Sequence, residues 1–180
     1  MLRSLVSVAS VVALVHGEAK PHDFSAAQVA CEVMSTFTCL NQAEPSPTFL
    51  CGDNGLESFE AWWRDNAVDD LVFHSNAVEG VTYTGLDEFL NNYPGDSPNT
   101  GMWEDVLYVC SVNSKREFVE KGDFQVALSI SYTRAREPLE GDDSREKEIQ
   151  HTSRDVRLSW HKSRYRVAEV FASTNTVTEN

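Results

Sequence analysis

The chain is poor in basic residues: 15 Lys and Arg stand against 28 Asp and Glu, a formal net charge of −13 at pH 7. That shortage excludes a binder of phosphate backbones, which needs clustered cations, and disfavours binding to an anionic membrane surface. Solubility is the plain reason for such acidity. Familiar catalytic signatures are missing too. There is no G-x-S-x-G elbow, no G-x-x-x-x-G-K-[ST], no H-E-x-x-H and no G-x-G-x-x-G. No C-x-x-C pair offers zinc-site spacing. His22, His151 and His161 are scattered, and "EGDDSREKE" has calcium-friendly oxygens without the EF-hand order or its glycine. Neither a metal nor a cofactor is expected. No N-x-[ST] glycosylation site occurs, and no apolar run approaches the ~20 residues of a membrane span.

What is present begins with "MLRSLVSVASVVALVHGEA". One cation, Arg3, precedes an uncharged apolar run from Ser4 to Val15, and small residues follow. That order is a signal peptide over residues 1–19, cleaved after Gly17 or Ala19, rather than a buried N-terminal helix. The mature chain is then expected to be secreted or lumenal and off the membrane. Its roughly 160 residues suit one domain with a real core. Four cysteines, Cys31, Cys39, Cys51 and Cys110, make an even count for a secreted chain and predict two disulfides. Three pairings are open. Cys39 with Cys51 is favoured, because a clasp would steady the proline-rich "NQAEPSPTFLCGDNG"; Cys110 would then reach the N-terminal segment from a strand.

Periodicity orders the rest. Val29, Val33, Phe37 and Leu40 recur at helical spacing, predicting a helix over 26–40 capped by Ser25 with Gln28. Asn54 and Glu57 open a second helix carrying Leu56, Phe59 and Trp63. "DDLVFHSNAV" reads as a strand and "GVTYTG" as a brief extended piece. Thr84 and Asp87 cap a third helix, with Leu86, Phe89, Leu90 and Tyr93 on one face and Pro94-Gly95 to stop it. The period then changes to two. "DVLYVCSV" is apolar on both parities and reads as a strand buried on both faces. "FQVALSISYTR" alternates cleanly, and "DVRLSW" with "YRVAEVF" forms a hairpin. "REPLEGDDSREKE" is a solvated loop. Helices first and antiparallel strands afterwards give an α+β fold, with three N-terminal helices packed on one face of a curved, mainly antiparallel sheet around a cone-like pocket.

The stretches "FEAWWRDNAVDDLVFHS" and "YTGLDEFLNNY", with the later "DVRLSWHKSRYRVAEVF", resemble the SnoaL-like branch of the nuclear transport factor 2-like superfamily, the fold of ketosteroid isomerase, scytalone dehydratase and polyketide cyclases. The resemblance covers roughly Leu56 to Thr174. It divides the chain into a leader at 1–19, an N-terminal helix and cysteine-bearing connection at 20–54, a SnoaL-like domain at 55–174 and a tail at 175–180. It implies a pocket and a homodimer through the outer sheet face. It also implies a carboxylate base on the first strand, where this chain has His74. The family's protonated acid falls at Arg154 or Asp155.

Among chemically capable residues His74 leads, since histidine titrates near neutral pH and can take a proton from carbon or water. It shares parity with Val72, opposite Leu71 and Phe73. The competing reading is a strand-end histidine bonded to a loop. Glu169, sharing parity with Tyr165, Val167 and Phe171, is either an acid on an apolar face or an exposed edge residue. Arg154 either holds a substrate carboxylate or pairs with an acidic neighbour. Trp62, Tyr83, Trp103, Tyr108 and Trp160 can line a cone for a flat apolar ligand, whereas Phe59, Trp63 and Phe73 suit the core. Three readings follow. The first is a secreted domain binding a small apolar molecule. The second is a cofactor-independent isomerase, dehydratase or cyclase with His74 as base and Glu169 or Asp155 as acid. The third is a non-catalytic dimerising module with a filled cavity.

Overall fold

The computed structural model describes residues 21–41, 55–75, 80–96, 103–138, 148–161, 163–171 and 175–179. Residues 1–20, Cys51 and most of the acidic loop lie outside them. In chain order the elements are α1 (Pro21–Asn41), α2 (Gly55–Asn66), β1 (Ala67–His74), β2 (Thr82–Thr84), α3 (Leu86–Asp96), β3 (Trp103–Glu120), β4 (Asp123–Pro138), β5 (Glu148–His161), β6 (Arg164–Phe171) and β7 (Asn175–Glu179). The strands form one sheet in the order β2-β1-β6-β5-β4-β3, with β7 also on β5. Among the described residues only β1 and β6 pair in parallel. This is the expected α+β architecture.

Helix limits depart from the sequence pattern in two places. α1 begins at Pro21, five residues before the expected start, because proline's fixed φ and missing N–H suit a first helical turn. α3 runs through Pro94 to Asp96 instead of stopping there. At its start the backbone N–H of Thr84 donates to Glu88, 2.7 Å away, so Glu88 makes the capping contact rather than Asp87. Asp87 turns outward to Arg64 of α2. Gly55, at the start of α2, lies against the carbonyl oxygen of Cys39, where any side chain would collide. The close crossing of α1 and α2 therefore requires glycine.

Both helices and sheet bury aromatic residues on one side. Phe37, Phe59, Trp63, Phe73, Phe89 and Tyr93 pack with ring centroids 4.5–6.5 Å apart. Phe59, Trp63 and Phe73 are fully buried, as expected of core. On β4, Val126, Leu128, Ile130 and Tyr132 face the helices while Gln125, Ala127, Ser129 and Ser131 face away. β3 does not follow the expectation of burial on both faces: Val109 is 54% exposed and Val112 37%. It is an edge strand: Val109 lies on the face away from the helices, opposite Cys110, and Val112, on the same parity as Cys110, is exposed as well. The residues expected as a tail add β7 to the sheet.

Cys110 of β3 is bonded to Cys31 of α1 across 79 residues of sequence, pinning the helical layer to the sheet edge. Cys39 is also disulfide-bonded; its favoured partner, Cys51, is outside the described residues. A second tie joins α2 to β6, where Arg164 donates to both carboxylate oxygens of Asp65 at 2.9 and 3.1 Å. That hydrogen bonding, with the charges of Arg164 and Arg166, holds the Asp65 carboxyl below its ordinary value against the opposing effect of burial.

Replacing Cys31 and Cys110 together by Ser is expected to lower unfolding stability by about 2–5 kcal/mol, read from the urea midpoint. The Asp65 tie has a defined pH signature. A carboxyl whose folded pKa is depressed contributes stability above its unfolded pKa and loses it as pH falls through the folded one. Asp65→Asn should therefore lower stability at neutral pH and flatten its fall below about pH 4, measured by thermal melts across pH.

Candidate functional site

Burial of Leu71 and Phe73 toward the helices turns Val72 and His74 to the sheet's outer face, since strand side chains alternate. The same alternation would put Glu169 inside, with Tyr165 and Val167. A register shift in β6 prevents this. Leu158 pairs with Val167 but Arg157 pairs with Glu169, leaving Ala168 as an extra residue. Such a bulge reverses the faces beyond it. Tyr165, Val167 and Val170 point to the core, and Glu169 and Phe171 point outward beside Arg157 and Val72. Glu169 thus departs from its expected face, and the bulge aims it at His74.

The result is a row of interacting groups across five strands, β2, β1, β6, β5 and β3. His74 Nε2 lies 3.1 Å from Glu169 Oε1, and Nδ1 lies 3.1 Å from Thr82 Oγ1. A carboxylate only accepts, so Nε2 carries the proton of the neutral imidazole and Nδ1 accepts from the Thr82 hydroxyl, a tautomer assigned from these partners. The ring stacks on Phe171, centroids 4.9 Å apart and 10° from parallel. Glu169 Oε2 is ion-paired with Arg157, whose other terminal nitrogen donates to Glu120 at 3.0 Å. Ala127, between Arg157 and β3, is small enough for that reach. Glu169 is held by the Arg157 ion pair on one oxygen and meets His74 with the other, which suits it to orient His74. The Glu169 side chain is 12% exposed and that of His74 34%.

Beside this row the outer face holds a cleft of about 550 Å³. Val68, Asp70 and Val72 of β1 and Arg166, Ala168 and Glu169 of β6 form one side. Arg157, Ser159 and His161 of β5 form the floor, and Glu120, Lys121, Asp123 and Gln125 of the β3–β4 hairpin close it. The hairpin turns at Lys121 and Gly122, both with positive φ, the signature of a tight two-residue turn. A smaller hollow of about 330 Å³ lies across Arg157, lined by Arg116, Phe118, Asp155 and Phe171.

The other expected site residues fall elsewhere. Arg154 is buried on the helix side, with its guanidinium 5.3 and 5.8 Å from the rings of Phe37 and Phe73. Asp155 is exposed on the outer face, opposite Phe171, and belongs to the smaller hollow. Trp62 is core between α1 and α2, donating to Glu32; Tyr83 packs against Phe73 and Phe89. Trp160 packs on Tyr165. The side chains of Trp103 and Tyr108 lie outside the described residues. Trp62, Tyr83 and Trp160 therefore do not line the cleft. Thr82, Arg157, Phe171 and Arg166 were missed, although strand parity places Thr82 and Arg157 on faces with polar neighbours. Among the described residues no group of His, Cys, Asp and Glu is arranged to hold a metal ion.

No family model matches the chain, and no curated protein matches it by sequence. Solved structures are similar in shape. LinA is 12% identical, covering 88% of this chain and 91% of that one with a TM-score of 0.49. A nuclear transport factor 2-like superfamily protein from Salmonella enterica is 10% identical over 84% and 92%, with a TM-score of 0.44. The association domain of C. elegans CaMKII is 14% identical over 85% and 100%, with a TM-score of 0.45. Three helices on one face of a curved, mainly antiparallel sheet make this an α+β fold.

Glu169→Ala would leave Arg157 with only Glu120 and His74 with only Thr82. It is expected to lower stability by about 2–4 kcal/mol, with Glu169→Gln costing less, measured by chemical denaturation. The values sit below those of a fully buried pair because Arg157 is 29% exposed.

Proposed function

We propose that this chain is a small-molecule-binding domain, exported to an oxidising compartment, which holds its ligand in the cleft on the outer face of the sheet. The observation that supports this reading is the cleft itself, with the Glu169–Arg157 pair part-buried in its wall. Concave sites with a few positioned polar groups are what small ligands require. The Cys31–Cys110 disulfide suits an oxidising compartment, and among the described residues no helix is long and apolar enough to cross a membrane. A flat apolar ligand between helices and sheet draws less support, because the described aromatic residues there pack on one another. The polar lining of the outer cleft favours a ligand with polar groups.

A second reading, a cofactor-independent isomerase, dehydratase or cyclase, is favoured by one observation: His74 is oriented by Glu169, which itself lines the cleft. An imidazole oriented through Nε2 leaves Nδ1 as the basic atom a general base needs, although His74 and Thr82 stand beside the cleft and do not line it.

Native mass spectrometry of the purified protein, compared with a denatured sample, tests the binding reading. Excess native mass from a small organic molecule is expected, and it should be lost when Ala168→Trp fills the cleft. Ligand retention by that variant would exclude the cleft; the same spectrum reads the number of subunits. If the released molecule is turned over, His74→Ala should slow turnover about 100-fold or more while leaving the molecule bound. Unchanged turnover would remove His74 from the chemistry.

A further inference from the structure

One cross-strand row of the cleft has unmet hydrogen-bonding capacity at both ends. Gln125 of β4 pairs with Ser159 of β5, and Ser159 pairs with Arg166 of β6. All three side chains line the cleft. Gln125 Oε1 and Arg166 Nε are buried atoms with no hydrogen-bond partner. Among the described residues, the guanidinium is anchored only by a long 3.4 Å bond from Nη1 to the carbonyl of Ala67. Among the described residues no carboxylate lies within ion-pair distance of it; nearby Asp65 is committed to Arg164. Arg157, by contrast, is already balanced by Glu169 and Glu120. A buried donor or acceptor left without a partner costs about 1–3 kcal/mol. This row therefore holds one missing acceptor and one missing donor, on either side of Ser159.

We propose that the cleft takes a small zwitterion, with a carboxylate on Arg166 and an amine turned to Gln125 Oε1. The proposal rests on the cleft being the ligand site and adds the chemical class. The orphaned atoms assign the ends: Arg166 Nε can only donate and Gln125 Oε1 can only accept. Carboxylates stand at both ends of the cleft, Asp69 and Asp70 on the β1 side and Asp123 at the hairpin, so charge does not decide the orientation. A zwitterion also brings no net charge to a protein of formal charge −13. Length follows from strand spacing: two spacings are about 10 Å, and a hydrogen bond of about 3 Å at each end leaves roughly 4–5 Å between the ligand's polar groups. That separation is met by an ω-amino acid with a few methylenes, which would lie along Ser159.

Three matched probes test this: γ-aminobutyrate, butyrate and butylamine. Each is titrated into the full disulfide-bonded protein by NMR, following the Arg166 Nε–H and the Gln125 side-chain amide, with Ala168 and Val72 as markers of cleft occupancy. The zwitterion should bind at least about tenfold more tightly than either half-molecule and shift both side-chain signals. Arg166→Gln should weaken γ-aminobutyrate and butyrate about tenfold and leave butylamine unchanged. Gln125→Leu should weaken γ-aminobutyrate and butylamine and spare butyrate. Both positions are partly exposed, and an unchanged amide spectrum elsewhere establishes that each variant is folded. Equal affinity for the three probes, or indifference to Arg166→Gln, overturns the proposal. If the molecule released in native mass spectrometry shifts Ala168 and Val72 while no probe does, the class is wrong and the cleft stands. If neither shifts them, the cleft reading fails as well.

Discussion

Phe73 is where the two faces of the sheet are decided. Its ring lies 4.5 Å from Phe89 and 5.1 Å from Tyr93, with Phe37, Trp63 and Tyr83 around it. Burying a phenylalanine is worth about 1.5–3 kcal/mol, and Leu71 is buried beside it on the same parity. Once those side chains face the helices, Val72 and His74 have one place to go. A slip of one residue would bring His74 into the aromatic core and Phe73 into water, so register is firmly held. Every later feature of the outer face inherits this orientation.

The bulge at Ala168 does the reverse for β6. Without it, Glu169 would enter the apolar layer as an ionised group without Arg157, a costly burial. With it, the carboxylate sits between Arg157 and His74, and Val170 takes the core position instead. One extra residue thus keeps the core apolar and assembles a polar row across β2, β1, β6, β5 and β3. The row is part-buried, hence less screened than an exposed ion pair.

The same sheet therefore separates two kinds of chemistry. The helix side is tightly packed aromatic surface, pinned by the Cys31–Cys110 bond, with Arg154 over two of its rings. The outer side has small and polar residues, and short side chains such as Ala127 and Ala168 make room for the longer ones to reach across strands. A cleft on the outer side can vary its lining without disturbing the core, because strand neighbours of opposite parity share no side-chain contacts.

Much of this was legible in residue order. Helical spacing in Val33, Phe37 and Leu40, the capping polar residues, and the clean alternation of Val126, Leu128, Ile130 and Tyr132 determined the element types, the α+β class and the core. The parity of His74 with Val72 was equally plain. These are local patterns, and a period of 3.6 or 2 is written in neighbours along the chain. What only the tertiary structure decided depends on contacts between strands distant in sequence. A bulge is a mismatch between two strands and has no signature in either alone, so the side taken by Glu169 was unreadable. Its union with His74, 95 residues away, and the stranded Arg166 and Gln125 followed from pairing across β4, β5 and β6. Local order sets which residues alternate; only the paired sheet sets which of them meet.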